Sequence, residues 1–307
     1  MRDPEDLFTV ARELPDLGSP VLIQSVDGFI DAGGGRRLAR QQLLAASGVD
    51  EVVVRFDVDQ LIDYRSRRPT MTFDTDHWSA YDDPSLVVRM LEDSAGTPYL
   101  LLDGPEPDYQ WERFAAAVRI AVERLQVRLT VGLNAIPMAV PHTRPTGLTA
   151  HGTRADLLVD HTPWLRTIQV PGAVGNLLEF RLGQSGHDAV GFAVHVPHYV
   201  SQLDYPAAAV ALLDATSRIT GLALPTADLI EAARQTAADI DAQVASSSEV
   251  AEIVRAVEEQ YDAFLAEQRQ PSTLGDPDEL PTADELGAEL ERYLANQTRR
   301  REDPPAF

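Results

Sequence analysis

Three prolines fall within the twelve residues Asn134–Pro145, which read Asn-Ala-Ile-Pro-Met-Ala-Val-Pro-His-Thr-Arg-Pro. Each fixes φ near about −65° and lacks a backbone donor, so neither a helix nor a central strand is expected to run through the segment. The apolar run before it, Val127–Leu133, reads as a buried strand. The chain must then leave the sheet stiffly, carrying His142, Thr143 and Arg144 in a set direction. In open α/β sheets such strand ends are where ligands and partners are met.

Strand and helix patterns alternate around this segment. Val21–Val26, Val52–Phe56, Leu86–Leu91, Tyr99–Leu102 and Ala189–Val196 are short, apolar and rich in β-branched residues, as strands are. Met71–Phe73 reads as an edge strand and Leu148–Ala150 as a short one. Arg36–Ala46, Val174–Leu182 and Tyr205–Ile219 read as helices, the last stopped by Gly221 and Pro225. Trp111, Phe114, Val118, Val122 and Leu125 recur at helical spacing, with Asp108 placed to cap the helix they define. Alternation of this kind predicts an α/β fold, with a parallel or mixed sheet covered by helices on both faces.

The composition changes at Thr226. Glycine and strand formers give way to Ala, Glu, Asp and Gln, and residues 226–307 carry 19 acids against 7 arginines. We expect two parts: an α/β core over 1–225 and an acidic helical extension over 226–307. Leu229–Val244, Val250–Leu265 and Ala283–Leu294 read as helices of that extension. Pro271–Pro281 reads as a linker, and Arg299–Phe307 as a disordered end. The extension would pack on the core or swap onto a neighbouring copy.

A net charge of −22 argues against nucleic acid and acidic membrane surfaces as partners. No apolar run approaches the roughly 20 residues that span a bilayer. The charged N-terminal stretch lacks a signal-peptide core, which points to the cytoplasm. Without cysteine there is no disulfide, thiolate nucleophile or Cys-based metal site. Without lysine there is neither a Schiff base nor a Walker-type phosphate grip.

Chemistry-bearing residues gather at the predicted strand ends. Asp27-Gly28-Phe29-Ile30-Asp31-Ala32-Gly33-Gly34-Gly35 joins a strand to a helix, the layout of an anion-binding loop with Gly33 and Gly34 as amide donors. Asp27 and Asp31 oppose a phosphate there, so the glycines serve equally well as a tight turn. Arg65, Arg67 and Arg68 form a basic island that either grips an anion or pairs with nearby aspartates. His77, Trp78 and Tyr81 are expected in a core or an interface. His195, Pro197 and His198 repeat the pattern of Val140, Pro141 and His142, an apolar strand delivering Pro and His at its end.

A metal site built from His142, His151, His195 and His198 with Asp27 or Asp31 lacks a ligand-spaced motif, so neither metal nor cofactor is expected. No G-x-S-x-G elbow is present for a serine hydrolase. What remains is a small-anion site, with Gly33, Gly34, Arg65, Arg68 and Arg144 as binding groups and His142, His198, Asp27 and Asp31 as catalytic candidates. Against it stands a scaffold whose buried histidines and arginines satisfy strand-end groups. The scaffold is preferred, and a phosphorylase- or ligase-like enzyme acting on a small anionic substrate is the alternative.

Several blocks together resemble the actinobacterial branch of the proteasome assembly chaperone family, second chaperone type. They are Asp27–Gly33, Phe56-Asp57, Asp63-Tyr64-Arg65-Ser66-Arg67-Arg68-Pro69, Gly104-Pro105-Glu106-Pro107-Asp108, Ile136–Pro145 and His195-Val196-Pro197-His198-Tyr199. The resemblance implies a three-layer α/β/α sandwich of the phosphorylase/hydrolase-like type, followed by a C-terminal helical extension. It further implies a small homo-oligomer, such as a homotrimer, and a proteasome-related protein partner.

Overall fold

The computed structural model describes residues 2–158 and 167–269. The expected linker Pro271–Pro281, the helix Ala283–Leu294 and the end Arg299–Phe307 lie outside the described residues.

The apolar runs pair into one mixed sheet of eight strands. In chain order its members are β1 (Phe8–Val10), β2 (Val21–Val26), β3 (Glu51–Phe56), β6 (Val87–Glu92), β7 (Pro98–Gly104), β8 (Leu129–Met138), β9 (Leu148–Gly152) and β10 (Ala189–Pro197). They lie side by side as β1-β3-β6-β7-β2-β8-β10-β9. The four central strands β7, β2, β8 and β10 are mutually parallel, and the outer ones are antiparallel to their neighbours. A separate two-stranded ribbon, β4 (Met71–Asp74) and β5 (His77–Tyr81), rises between β3 and β6.

Central strands buried on both faces carry apolar residues at successive positions, and neighbours in sequence feed opposite layers. Ile23, Val131 and Val194 face α1 (Gly35–Ala46) and α4 (Pro206–Thr220), which bring Ala39, Leu43, Ala208 and Leu212. Leu22, Leu100 and Ala189 face α2 (Trp111–Arg124) and α3 (Val174–Gln184), which bring Phe114, Val118 and Leu178. Phe114 is fully buried and meets Phe56 edge-on, with centroids 4.9 Å apart. Burying such a ring contributes about 1.5–3 kcal/mol. The α/β expectation and the helices on both faces are as the sequence indicated.

Three local expectations change. Strand β8 runs through Pro137, which pairs with Val196. Its pairing with β2 ends at Gly132, so beyond that point β8 has a partner on the β10 side alone. A proline without a donor is tolerated on such a half-paired tail. Asp108 does not cap α2. That place is taken by Gln110 at φ +60°, while the Asp108 carboxylate accepts from the Asp63 N–H at 2.7 Å and pairs with Arg67 at 2.9 Å. His77, Trp78 and Tyr81 stand exposed on the ribbon, outside the core of this chain.

The first compact unit runs to Glu258. Helix α5 (Ala227–Ala245) belongs to it because Leu229 and Ile240 enter the α1–α4 core. Helix α6 (Ser248–Arg269) carries the chain into the second unit, which begins at Glu259.

Candidate functional site

The loop after β2 is closed by its own carboxylate. Gly33, at φ +63°, lies so near Tyr205 that a Cβ would come within 2.7 Å of the tyrosine Cβ, and Gly34 is also left-handed at +58°. Their amides are used within the chain: Gly33 N–H donates to the Ser201 carbonyl at 2.7 Å and Gly34 N–H to the Asp31 carbonyl at 3.0 Å. The Asp31 side chain accepts from the Arg36 and Arg37 amides at 2.8 and 3.0 Å. The anion at the N-terminus of α1 is therefore Asp31 itself. Asp27 accepts from Arg40 at 2.9 Å, and Arg40 also reaches Asp103 at 3.2 Å.

Beside this loop a cavity of about 250 Å³ opens between the sheet and α3. Its floor is a row across four strands, in which Gln24 is level with Gly132, Gly132 with Gly191, and Gly191 with His151. Glycine in a strand interior marks a place where something comes close to the backbone. Over Gly191 it is His151, whose ring a Cβ would meet at 2.2 Å, and Glu179, which bonds His151 Nδ1 at 2.9 Å. Over Gly132 there is room, the nearest atom to a Cβ being Gln24 Oε1 at 3.5 Å. Arg36, Asp27 and Glu106 also line the cavity, and Phe29, Ile136 and Phe192 supply apolar wall. Glu106 accepts from the Val174 N–H at 2.7 Å and so caps α3. Burial pulls the pKa of Arg36 below its ordinary value, and Asp31 and Asp27 oppose that shift.

The proline-stiffened exit leads elsewhere. His142 and His198 both pack edge-on against Tyr199, so the ends of β8 and β10 share one rim. Tyr199 Oη accepts from the His142 backbone N–H at 2.8 Å and lies 2.7 Å from Nδ1, while Nε2 meets Asp241 of α5 at 3.1 Å. A carboxylate only accepts, so Nε2 carries the proton that it shares with Asp241. Thr143 bonds to Glu258 of α6, and Arg144 pairs with the same carboxylate at 3.3 Å. The segment thus reaches the chain's own acidic helices.

Of the candidates named from the sequence, Asp27 lines the cavity, while Asp31 and Gly34 line an open groove on the other side of the loop. Gly33 lies buried beneath Tyr205. Arg65 and Arg68 are exposed on the loop after β3, and His142, Arg144 and His198 stay at the rim. His195 is buried within β10, where its Nε2 bonds Thr149 at 2.8 Å and burial holds its pKa down to about 4. Among the described residues no group of His, Cys, Asp or Glu is arranged to hold a metal ion, and no helix is long and apolar enough to cross a membrane. Sequence reasoning missed Gln24, Gly132, Gly191, Arg36 and Glu179. The one signal was glycine inside two apolar strands.

Solved structures with this architecture include a Mycobacterium tuberculosis protein of unknown function, Rv2714. It is 52% identical over 85% of this chain and 90% of that one, with a TM-score of 0.80. A Corynebacterium glutamicum protein of unknown function is 36% identical over 86% of this chain and all of that one, also at 0.80. The M. tuberculosis proteasome-assembly chaperone homologue Rv2125 is 26% identical over 76% of this chain and 99% of that one, at 0.70. No curated protein matches the sequence. The sequence profile of the PAC2 family matches residues 25–244, and the chain belongs to the PAC2 family.

Proposed function

We infer that the protein is a chaperone-like scaffold that works by binding other proteins, including copies of itself. One observation carries this reading: the β4–β5 ribbon stands clear of the sheet with its large apolar side chains in solvent. Phe73 is 56% exposed and Trp78 62%, and their rings meet edge-on at 5.1 Å. An apolar patch kept in water marks a protein contact. Membership in the PAC2 family and likeness to a proteasome-assembly chaperone homologue support a proteasome-related partner. We assign a homo-oligomer, with a homotrimer as the assembly, and a cytoplasmic location, which the cysteine-free sequence permits. The catalytic reading finds less support, because of Asp27, Arg65, His142, Arg144 and His198 only Asp27 lines the cavity.

Light scattering on the full chain and on a Phe73→Ser/Trp78→Ser variant tests self-association, and capture of proteasome subunits from a host lysate tests the partner. The expected result is an oligomer for the parent chain, smaller particles for the variant, and proteasome subunits recovered with the parent. A monomeric parent that captures none would overturn the assignment.

A further inference from the structure

The cavity under α3 is lined by two buried polar side chains, Arg36 and Gln24. Arg36 is 6% exposed, and its buried Nε has no hydrogen-bond partner among the described residues; a terminal nitrogen faces Asp27 and Asp31 at 3.9 Å, an ion-pair distance too long for a hydrogen bond. Gln24 is equally buried and turns its carboxamide onto the same space, its Oε1 lying 3.5 Å from a Cβ built on Gly132. A buried donor such as Arg36 Nε is satisfied in nearly all native structures, by protein, water or ligand. Both side chains line the same space, whose floor over Gly132 is bare backbone.

Charge narrows what fills it. Asp27, Glu106 and Glu179 line the cavity with Arg36, so carboxylates outnumber guanidinium groups on its wall. Arg40 neutralises Asp27 from outside, and His151 leans on Glu179. An added anion would still face net negative charge, whereas a neutral acceptor would satisfy Arg36 without that repulsion. Size narrows it further: a cavity of roughly 150 Å³ takes benzene, so this one admits one or two rings. Phe29 and Phe192 supply aromatic wall for such a ring.

We propose that the cavity between β2, β8, β10 and α3 binds an uncharged planar cyclic amide, its carbonyl accepting from Arg36 and its N–H donating to Gln24 Oε1 or Glu179. Arg36 and Gln24 then select for a lactam-type edge, and Gly132 leaves the space for the ring. This is a binding site, independent of the ribbon and of the oligomeric state.

Saturation-transfer NMR on the full chain, with uracil and quinazolin-4-one as probes and benzoate as the anionic control, tests it. Both lactams give transfer and benzoate gives less. Arg36→Met and Gln24→Leu each weaken lactam binding about tenfold or more, the effect of removing a hydrogen bond to a buried group. Gly132→Val fills the floor and abolishes binding. A Cβ at this position meets nothing nearer than 3.5 Å, and the circular dichroism spectrum of the variant is compared with that of the parent. Absence of lactam transfer at about 5 mM, where a millimolar Kd is visible, overturns the proposal. So does lactam binding that survives Arg36→Met unchanged, or benzoate binding more tightly than either lactam. If Gly132→Val fails to fold, Arg36→Met and Gln24→Leu decide.

Discussion

Ile240 and Asp241 are neighbours on α5 with different roles, and substituting each in turn separates what holds that helix from what aligns it. Ile240 is buried in the core shared with α4, whereas Asp241 is 66% exposed and accepts from His142 Nε2 at 3.1 Å. Ile240→Ala removes three carbons and leaves a void; such truncations cost about 2–5 kcal/mol, and about 3 is expected where a helix on one face of a core can partly settle. Asp241→Asn keeps an acceptor oxygen and removes only the charge. An exposed pair contributes under about 1 kcal/mol. Hydrogen exchange followed by mass spectrometry on peptides from 227–245 reads both directly, because opening of α5 exposes its amides. At about 1.4 kcal/mol per tenfold, Ile240→Ala speeds exchange about a hundredfold and Asp241→Asn no more than about fivefold. If Asp241→Asn matches or exceeds Ile240→Ala, packing is not what holds α5, and the polar contacts to the proline segment carry the helix instead.

Burial holds His195 down to about 4, against 6.5 for the free side chain. The unfolded chain takes up a proton as pH falls through about 6.5 while the native ring stays neutral to about 4, so stability is lost across that window by about 3 kcal/mol. Urea melts of parent and His195→Asn over this range should show a steeper decline for the parent. Phe73→Ser and Trp78→Ser, both exposed, should leave the unfolding free energy within about 0.5 kcal/mol of the parent while reducing particle size in light scattering. Gly104 sits at φ +138° with the Ser85 carbonyl oxygen 2.3 Å from a would-be Cβ, so Gly104→Ala should cost about 3 kcal/mol or more in chemical denaturation. Arg36→Met should leave the melting temperature of the ligand-free chain unchanged or higher, measured by calorimetry, since it replaces a buried guanidinium whose Nε has no hydrogen-bond partner among the described residues with an apolar chain.

How far the fold was legible depended on whether local pattern or long-range register decided each element. The 3.6-residue recurrence of Trp111, Phe114, Val118 and Val122 defines α2 because burial of that stripe against β-strands is a one-dimensional requirement. Pro137 misleads because the rule against proline in a central strand concerns both neighbours, and β8 has lost one of them by that point. Asp108 looks like a helix cap, yet the Asp63 amide and Arg67 claim its carboxylate from 45 and 41 positions away, which spacing alone does not reveal. The alternation in Met71–Phe73 gave the strand correctly and its surroundings not at all, since an amphipathic ribbon reads the same over a core or over water. The cavity was the least legible feature. Gln24, Gly132, Gly191 and His151 become one row only once β2, β8, β10 and β9 are paired in register. The shared rim of His142 and His198 was visible from their matching strand ends, but its use against α5 and α6 was not.

Arg36 shows why the two halves of the strand-end crevice differ. At the rim the proline-stiffened segment finds partners in the chain itself: Tyr199 for His142, Asp241 for the far side of the same ring, Glu258 for Thr143 and Arg144. Those contacts hold the segment against α5 and α6. One loop away, Arg36 is buried, at 6% exposure, and its Nε has no hydrogen-bond partner among the described residues, although three carboxylates stand nearby. Each of the three is already engaged: Asp31 with the first amides of α1, Asp27 with Arg40, and Glu106 with the first amide of α3. A guanidinium kept for stability alone would take one of those oxygens at hydrogen-bond distance, because a buried unpaired donor costs about 1–3 kcal/mol and a charged one more. A chain that bears this cost beside an open, partly apolar space keeps the donor ready for an acceptor from outside, trading stability for binding as functional sites do.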